Sequence, residues 1–347
     1  MKKTDIINQI IKLNHRLIPM LPSMPIGLLD GKMGYCIYFY ILGKYDKRNR
    51  YDSVAENLME DIYSNILNTS DIEVETGLAG IGLGIDYLIK EGYVSGDVNV
   101  ILEDIDDSIF RKLNNRDYCR NSRVLSLLYL LIYLCTRYEK QRKEQKELLE
   151  ELIGQTFNAL YAKIDQTFYE EPFRYSIHYK APLFLYLLAR IWKLGFFNYR
   201  IERLFPEIEY SITTLYPKLG SNKLYLLWGM NHLEQVFPSL AFQKHINLLK
   251  NEIDIERILK EELRDKNLFL ENGVASLFLI VKSLKSNLFT NEEVQRAQEL
   301  MFTKIESSDL WELLNQSVDY LEYFKRPVNN FNIIYVLYMT KASNGIL

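Results

Sequence analysis

Two kinds of helical pattern alternate along this chain with a period of about 50 residues, and that alternation restricts the fold more than any single motif. In one kind, apolar residues recur three and four positions apart: Ile6, Ile10, Leu13 and Leu17; Val54, Leu58, Ile62 and Ile66; and Leu149, Leu152, Leu160 and Ile164, with Thr156 in the same series. That spacing gives a helix one apolar face and one wet face. The other kind is short and apolar nearly all round, at about 31–43, 78–89, 122–135, 180–192, 224–233, 273–284 and 329–339. A helix without a polar face has to be covered by neighbours on most sides.

Seven hairpins of one amphipathic and one buried helix admit an open solenoid or a ring closed on itself. A solenoid would keep the concave face of its second helices polar, whereas these are apolar, so the ring is favoured. The expected fold is therefore all-α, an α/α toroid of about seven inner and seven outer helices. No segment sustains the alternation of a β-strand. No Gly/Ser/Pro-rich linker interrupts the pattern, so residues 1–347 are expected to form a single domain. Ser53 with Glu56 and Thr290 with Glu293 fit the S/T-x-x-E capping box and predict helix starts at those points.

Composition narrows the function classes. With 48% hydrophobic residues in 347, the chain can bury a continuous core. Lys and Arg number 42 against 45 Asp and Glu, a formal charge of -3, and no block of like charge stands out. Nucleic acid and anionic membranes are therefore not expected as partners. The longest apolar runs, such as 124–135, fall short of the roughly 20 residues that span a bilayer, so no membrane insertion is expected. Polar residues Asn8, Gln9, Lys12, Asn14 and His15 interrupt the N-terminal apolar series, which argues against a signal-peptide core and for a cytoplasmic protein. Cys36, Cys119 and Cys135 lie far apart in apolar patterns and read as small buried residues.

Glycines mark the starts of two buried helices, in Gly27-Leu28-Leu29-Asp30-Gly31-Lys32-Met33-Gly34 and in Glu75-Thr76-Gly77-Leu78-Ala79-Gly80-Ile81-Gly82-Leu83-Gly84. Each glycine within a helix costs about 1 kcal/mol relative to alanine, so close approach of two backbones is the expected compensation. A phosphate cradle would need a strand before the glycines and Lys-Ser/Thr after them. Neither is present.

The Gly-Leu-Ala-Gly-Ile block at 77–81, with its looser copy at 27–34, resembles the signature of the lanthionine synthetase C-like family, whose cyclases add a peptide thiol to a dehydrated residue. The resemblance implies an α/α toroid with a zinc ion held by two cysteines and a histidine at the ends of inner helices. Aligning the fifth-repeat glycine of the family on Gly229 puts Leu227 at the first zinc cysteine, Trp228 at the following tyrosine and Lys223 at an arginine. The sixth-repeat pattern Leu-Cys-His-Gly falls on Leu270-Glu271-Asn272-Gly273, so Glu271 and Asn272 replace the other two ligands. His178 matches a histidine that acts as an acid in the family. The third-repeat aspartate has its nearest counterpart in Asp117, one residue out of register.

The resemblance thus implies a family member without zinc or other cofactor. A thiol of pKa near 8.5 would not be activated there as a metal-bound thiolate is, so cyclase activity by the zinc route is not expected. His178, Lys223, Trp228, Glu271 and Asn272 would share one mouth at inner-helix N-termini, which favour carboxylates, phosphates and peptide carbonyls. The leading expectation is a binding role toward a peptide or a partner enzyme of peptide modification. An alternative is a toroid hydrolase or lyase of carbohydrates using two carboxylates among Asp30, Glu75 and Glu271. A scaffold with an inert mouth is the third.

Overall fold

The structure, a computed structural model, describes residues 3–45, 50–141, 146–264, 267–285 and 287–311. Its helices, in chain order, are α1 (Lys3–Leu17), α2 (Lys32–Tyr45), α3 (Tyr51–Ile66), α4 (Leu78–Lys90), α5 (Val98–Ile101), α6 (Glu103–Leu113), α7 (Arg116–Asn121), α8 (Val124–Lys140) and α9 (Lys146–Tyr161). They continue as α10 (Gln166–Tyr169), α11 (Lys180–Leu194), α12 (Asn198–Thr213), α13 (Gly220–Glu234), α14 (Leu240–Asn251), α15 (Ile255–Arg257), α16 (Val274–Ser283) and α17 (Asn291–Ser307). A 3-10 segment, Ile18–Ser23, and a π segment, Ile258–Glu262, complete the set. The only β pairing among the described residues is an isolated bridge between Lys285 and Phe289, so the fold is all-α.

Contacts divide the described chain into two units. The first takes in residues 3–115, Leu268–Leu270 and 302–311; the second takes in Arg116–Asn267 and Glu271–Met301. In the first unit α2 packs along α3 and against α4, which in turn meets α6. Asn14 of α1 is fully buried yet satisfied: Tyr38 Oη donates to its Oδ1 at 3.0 Å, and its Nδ2 donates to Tyr51 Oη at 3.4 Å. One amide thereby ties α1 to α2 and α3.

The glycine blocks do what close packing requires. Leu28 and Leu29 donate backbone N–H bonds to Val74 and Glu75 at 3.2 and 3.1 Å, so the segments leading into α2 and α4 lie backbone against backbone. A Cβ on Gly27 would fall 2.3 Å from Thr76 Cα, and one on Gly80 would fall 2.1 Å from Val74 O. No side chain fits either place, which is the structural origin of the signature.

In the second unit the apolar helices α8, α11, α13 and α16 pack each against the next, with α9, α12 and α14 against α8, α11 and α13 respectively. Their buried faces carry Leu127, Leu130, Leu134, Phe184, Leu188, Leu224, Leu226 and Leu277. Six of the seven predicted inner helices are thus present; the seventh, at 329–339, lies outside the described residues.

Two predicted starts are corrected. Ser53 does not cap α3, which begins at Tyr51 after Arg50 in a left-handed conformation (φ 49). Tyr51 is wholly buried, stacks on Phe39 at 5.6 Å and accepts from Asn14, so tertiary packing draws it into the helix ahead of the local cap. Thr290 and Glu293 do form the reciprocal box: Thr290 N–H donates to Glu293 Oε2 at 2.7 Å, and Glu293 N–H donates to Thr290 Oγ1 at 3.2 Å. The second correction is α13, which starts at Gly220 rather than near Leu224. Its first turn is polar but buried, because Glu262 of the π segment accepts from Gly220 N–H at 2.7 Å, Ser221 N–H at 3.0 Å and Ser221 Oγ at 2.6 Å.

Candidate functional site

The loop before α11 and the loop before α16 meet in the second unit. Ile177 N–H donates to the Glu271 carbonyl at 2.9 Å, and Tyr225 Oη of α13 donates to the Ile177 carbonyl at 3.1 Å. These bonds hold His178 beside the end of α16. Its ring lies between two partners: Tyr129 Oη is 2.9 Å from Nδ1, and Glu271 Oε1 is 3.6 Å from Nε2. Side-chain exposure is 27% for His178 and 24% for Glu271, so both retain access to solvent.

When Tyr129 donates to Nδ1, the remaining ring hydrogen sits on Nε2 and faces Glu271. At 3.6 Å that contact is longer than a direct hydrogen bond, and a carboxylate has about four acceptor positions. A donor from a bound molecule can therefore share Glu271 with His178. The next residue, Asn272, has its Oδ1 buried without a hydrogen-bond partner, while Asn267 Nδ2 donates to its backbone carbonyl at 3.4 Å.

A buried tyrosine layer supports the cluster. Tyr175 Oη donates to Ser276 Oγ at 2.9 Å, and the Tyr175 and Tyr225 rings meet edge to face at 6.4 Å. Burial pushes the Tyr175 phenol up, an effect the Ser276 contact partly opposes. Burial, then the neighbouring Tyr175 and Tyr129, pushes Tyr225 well above the ordinary tyrosine range. Both phenols stay protonated at neutral pH and act as fixed donors. Neither was singled out from sequence, since tyrosines within apolar runs read as core; the usable signal was that a buried phenol needs a partner.

The other predicted site residues take the following places. Lys223, in the first turn of α13, is ion-paired with Glu252 and lies 4.2 Å from the Tyr216 ring centroid. Trp228 sits in the middle of α13, not at a helix start. It stacks on Tyr186 at 5.0 Å and on Tyr225 at 5.5 Å, with the His232 ring edge-on at 5.0 Å. Asp117 is on the short α7, with its side chain 79% exposed and 3.9 Å from Arg120. Asp30 and Glu75 are half-buried at the starts of α2 and α4 in the first unit, where Asp30 N–H donates to the Glu75 carbonyl at 3.0 Å.

Gly229, on which the fifth-repeat alignment rests, lies inside α13. A Cβ on Gly229 would lie 2.5 Å from the Pro182 carbonyl, so this glycine serves the crossing of α11 and α13. Gly220 is the first residue of α13, one position after its N-cap Leu219, whereas Gly77 and Gly273 are themselves the N-caps of α4 and α16. Leu227 is consequently a fully buried mid-helix residue.

A zinc site does not fit these residues. Structural and catalytic zinc needs three or four converging N, S or O donors, and Leu227 supplies none. Glu271 is directed at His178, and no group of three or more His, Cys, Asp or Glu side chains converges among the described residues. The three cysteines are buried and form no disulfide; Cys36 donates to the Ala55 carbonyl at 3.4 Å. Comparison with protein-family models gives no match to this chain, and comparison with curated proteins gives none either.

Proposed function

We propose that the chain is a zinc-independent relative of the lanthionine synthetase C-like proteins, binding a peptide or a partner enzyme of peptide modification at the His178–Glu271 cluster. The observation that carries this reading is the solvent-accessible pair itself: His178 Nε2 and Glu271 Oε1 stand 3.6 Å apart, close enough to act on one ligand group. Where the resemblance would have metal ligands stand Glu271, a solvent-accessible carboxylate beside an imidazole, and Asn272, whose side-chain oxygen is buried. Such a set suits backbone amides and amines of an extended chain. It does not generate a metal-bound thiolate, so the role is recognition rather than thiol addition by the zinc route.

The test is capture on an array of peptides of mixed composition, comparing the wild-type protein with His178→Ala and Glu271→Ala. The expected result is that the wild type binds a subset and that both variants lose it while keeping their helical circular dichroism. Identical capture by all three proteins contradicts the reading.

A further inference from the structure

Away from the His178 cluster, α7 packs across α9 and leaves a cavity of about 690 Å³, within the range of small-ligand sites. Its walls are charged in order. Arg116 and Arg120 are one helical turn apart on α7 and so project to the same side. Lys163, just past the end of α9, donates to the Arg120 carbonyl at 2.6 Å, which pins a third cation near the arginine pair. Glu150 and Glu151 line the cavity from the first half of α9, and Glu150 is oriented by Tyr138 Oη at 2.8 Å. Between the two ends, Gly154 and Ala159 keep the wall low.

Asp117 is 3.9 Å from Arg120, but both side chains are more than two-thirds exposed. Such a pair contributes little and is easily exchanged for another anion. The arginine pair suits a carboxylate, which guanidinium groups bind bidentately, and the glutamates suit an ammonium or guanidinium. From Glu150 to Tyr161 the helix advances roughly 16 Å at 1.5 Å per residue. An extended peptide covers that length with about five residues.

We infer that the α7–α9 groove is a binding site for a short zwitterionic peptide segment, its acidic end on Arg116, Arg120 and Lys163 and its basic end on Glu150 and Glu151. It shares no residue with the His178 cluster, so either site can fail without the other.

Calorimetric titration of the full chain with end-blocked pentapeptides tests it, using Asp-Asp-Ala-Lys-Lys, its reversed sequence, and an all-Asp control. The expected result is saturable binding of one zwitterionic polarity, weakened about tenfold or more by R116E/R120E and weakened by added salt. The fourfold variant R116E/R120E/E150K/E151K should prefer the opposite polarity. Circular dichroism checks that the variants keep the fold, the fourfold one in particular because Glu150 is partly buried against Tyr138. Absence of saturable binding to the wild type, equal affinity of the folded R116E/R120E variant, or an all-Asp peptide binding as tightly as the zwitterions overturns the proposal.

Discussion

Lys223 and Glu252 form an ion pair across 29 sequence positions, the same separation at which Lys32 pairs with Asp61. In both cases the lysine is in the first turn of an apolar helix, α13 or α2, and nearly buried. The carboxylate belongs to the next long helix, α3 for Asp61, or to the residue directly after that helix, Glu252 past the end of α14. A cation at a helix N-terminus opposes the helix dipole, so the carboxylate offsets an otherwise unfavourable placement. The two pairs are one device used in two hairpins of the repeat.

Lys223→Met should therefore lower stability by about 1–2 kcal/mol. That is below the full cost of breaking a buried pair because Glu252 remains 38% exposed and hydrated. Thermal unfolding checks this, and the double variant Lys223→Met/Glu252→Gln should recover part of the loss.

Glu262 satisfies three donors at the start of α13. Glu262→Ala should cost about 2–4 kcal/mol, counting lost bonds to a charged acceptor and the exposed helix end. Glu262→Gln should cost less, since one amide oxygen still accepts. A thermal midpoint for Glu262→Ala equal to that of the wild type would contradict the assigned cap.

Acid should destabilise the fold through histidine. Burial lowers His245, partly offset by its 2.9 Å contact with the Leu215 carbonyl, and burial with Lys193 nearby lowers His232. Because the unfolded chain binds these protons more readily, the stability is present above the ordinary histidine range near 6.5 and is lost as pH falls below it. Unfolding midpoints measured from pH 7.5 downward should drop, and His245→Gln, whose amide nitrogen takes the place of Nε2 as donor to Leu215, should flatten that dependence.

How much of this was legible in the sequence depends on which neighbours decide the outcome. Six apolar helices were readable because an all-apolar pattern has one physical solution, burial. The Thr290 box was readable because its two bonds are local. Ser53 misled because Tyr51 is held by Phe39 and Asn14, residues distant in sequence. The start of α13 was hidden because Ser221, Asn222 and Lys223 look like a loop until Glu262, Glu171 and Glu252 are seen to meet them. In the candidate site, His178 and Glu271 were reached through the family resemblance. Tyr129 was not, because inside an apolar helix nothing local distinguishes a phenol that orients an imidazole from one that fills space.

Tyr129→Phe isolates that orienting role. It removes the hydroxyl at 2.9 Å from His178 Nδ1 while keeping the ring. Peptide capture should weaken by about two- to tenfold, the effect of one hydrogen bond of 0.5–1.5 kcal/mol. The nitrogen NMR signature of His178 should move toward a mixture of tautomers. Unchanged capture with an unchanged signature would assign Tyr129 to packing alone.

Metal content is the most direct measure of the central claim, that this helical scaffold presents Glu271 beside His178 as an acceptor instead of holding zinc. Protein purified in the presence of zinc and then desalted should carry a substoichiometric amount, with the same unfolding midpoint in zinc as in chelator. One zinc per chain, lost in His178→Ala or Glu271→Ala and accompanied by a chelator-sensitive midpoint, would contradict the account.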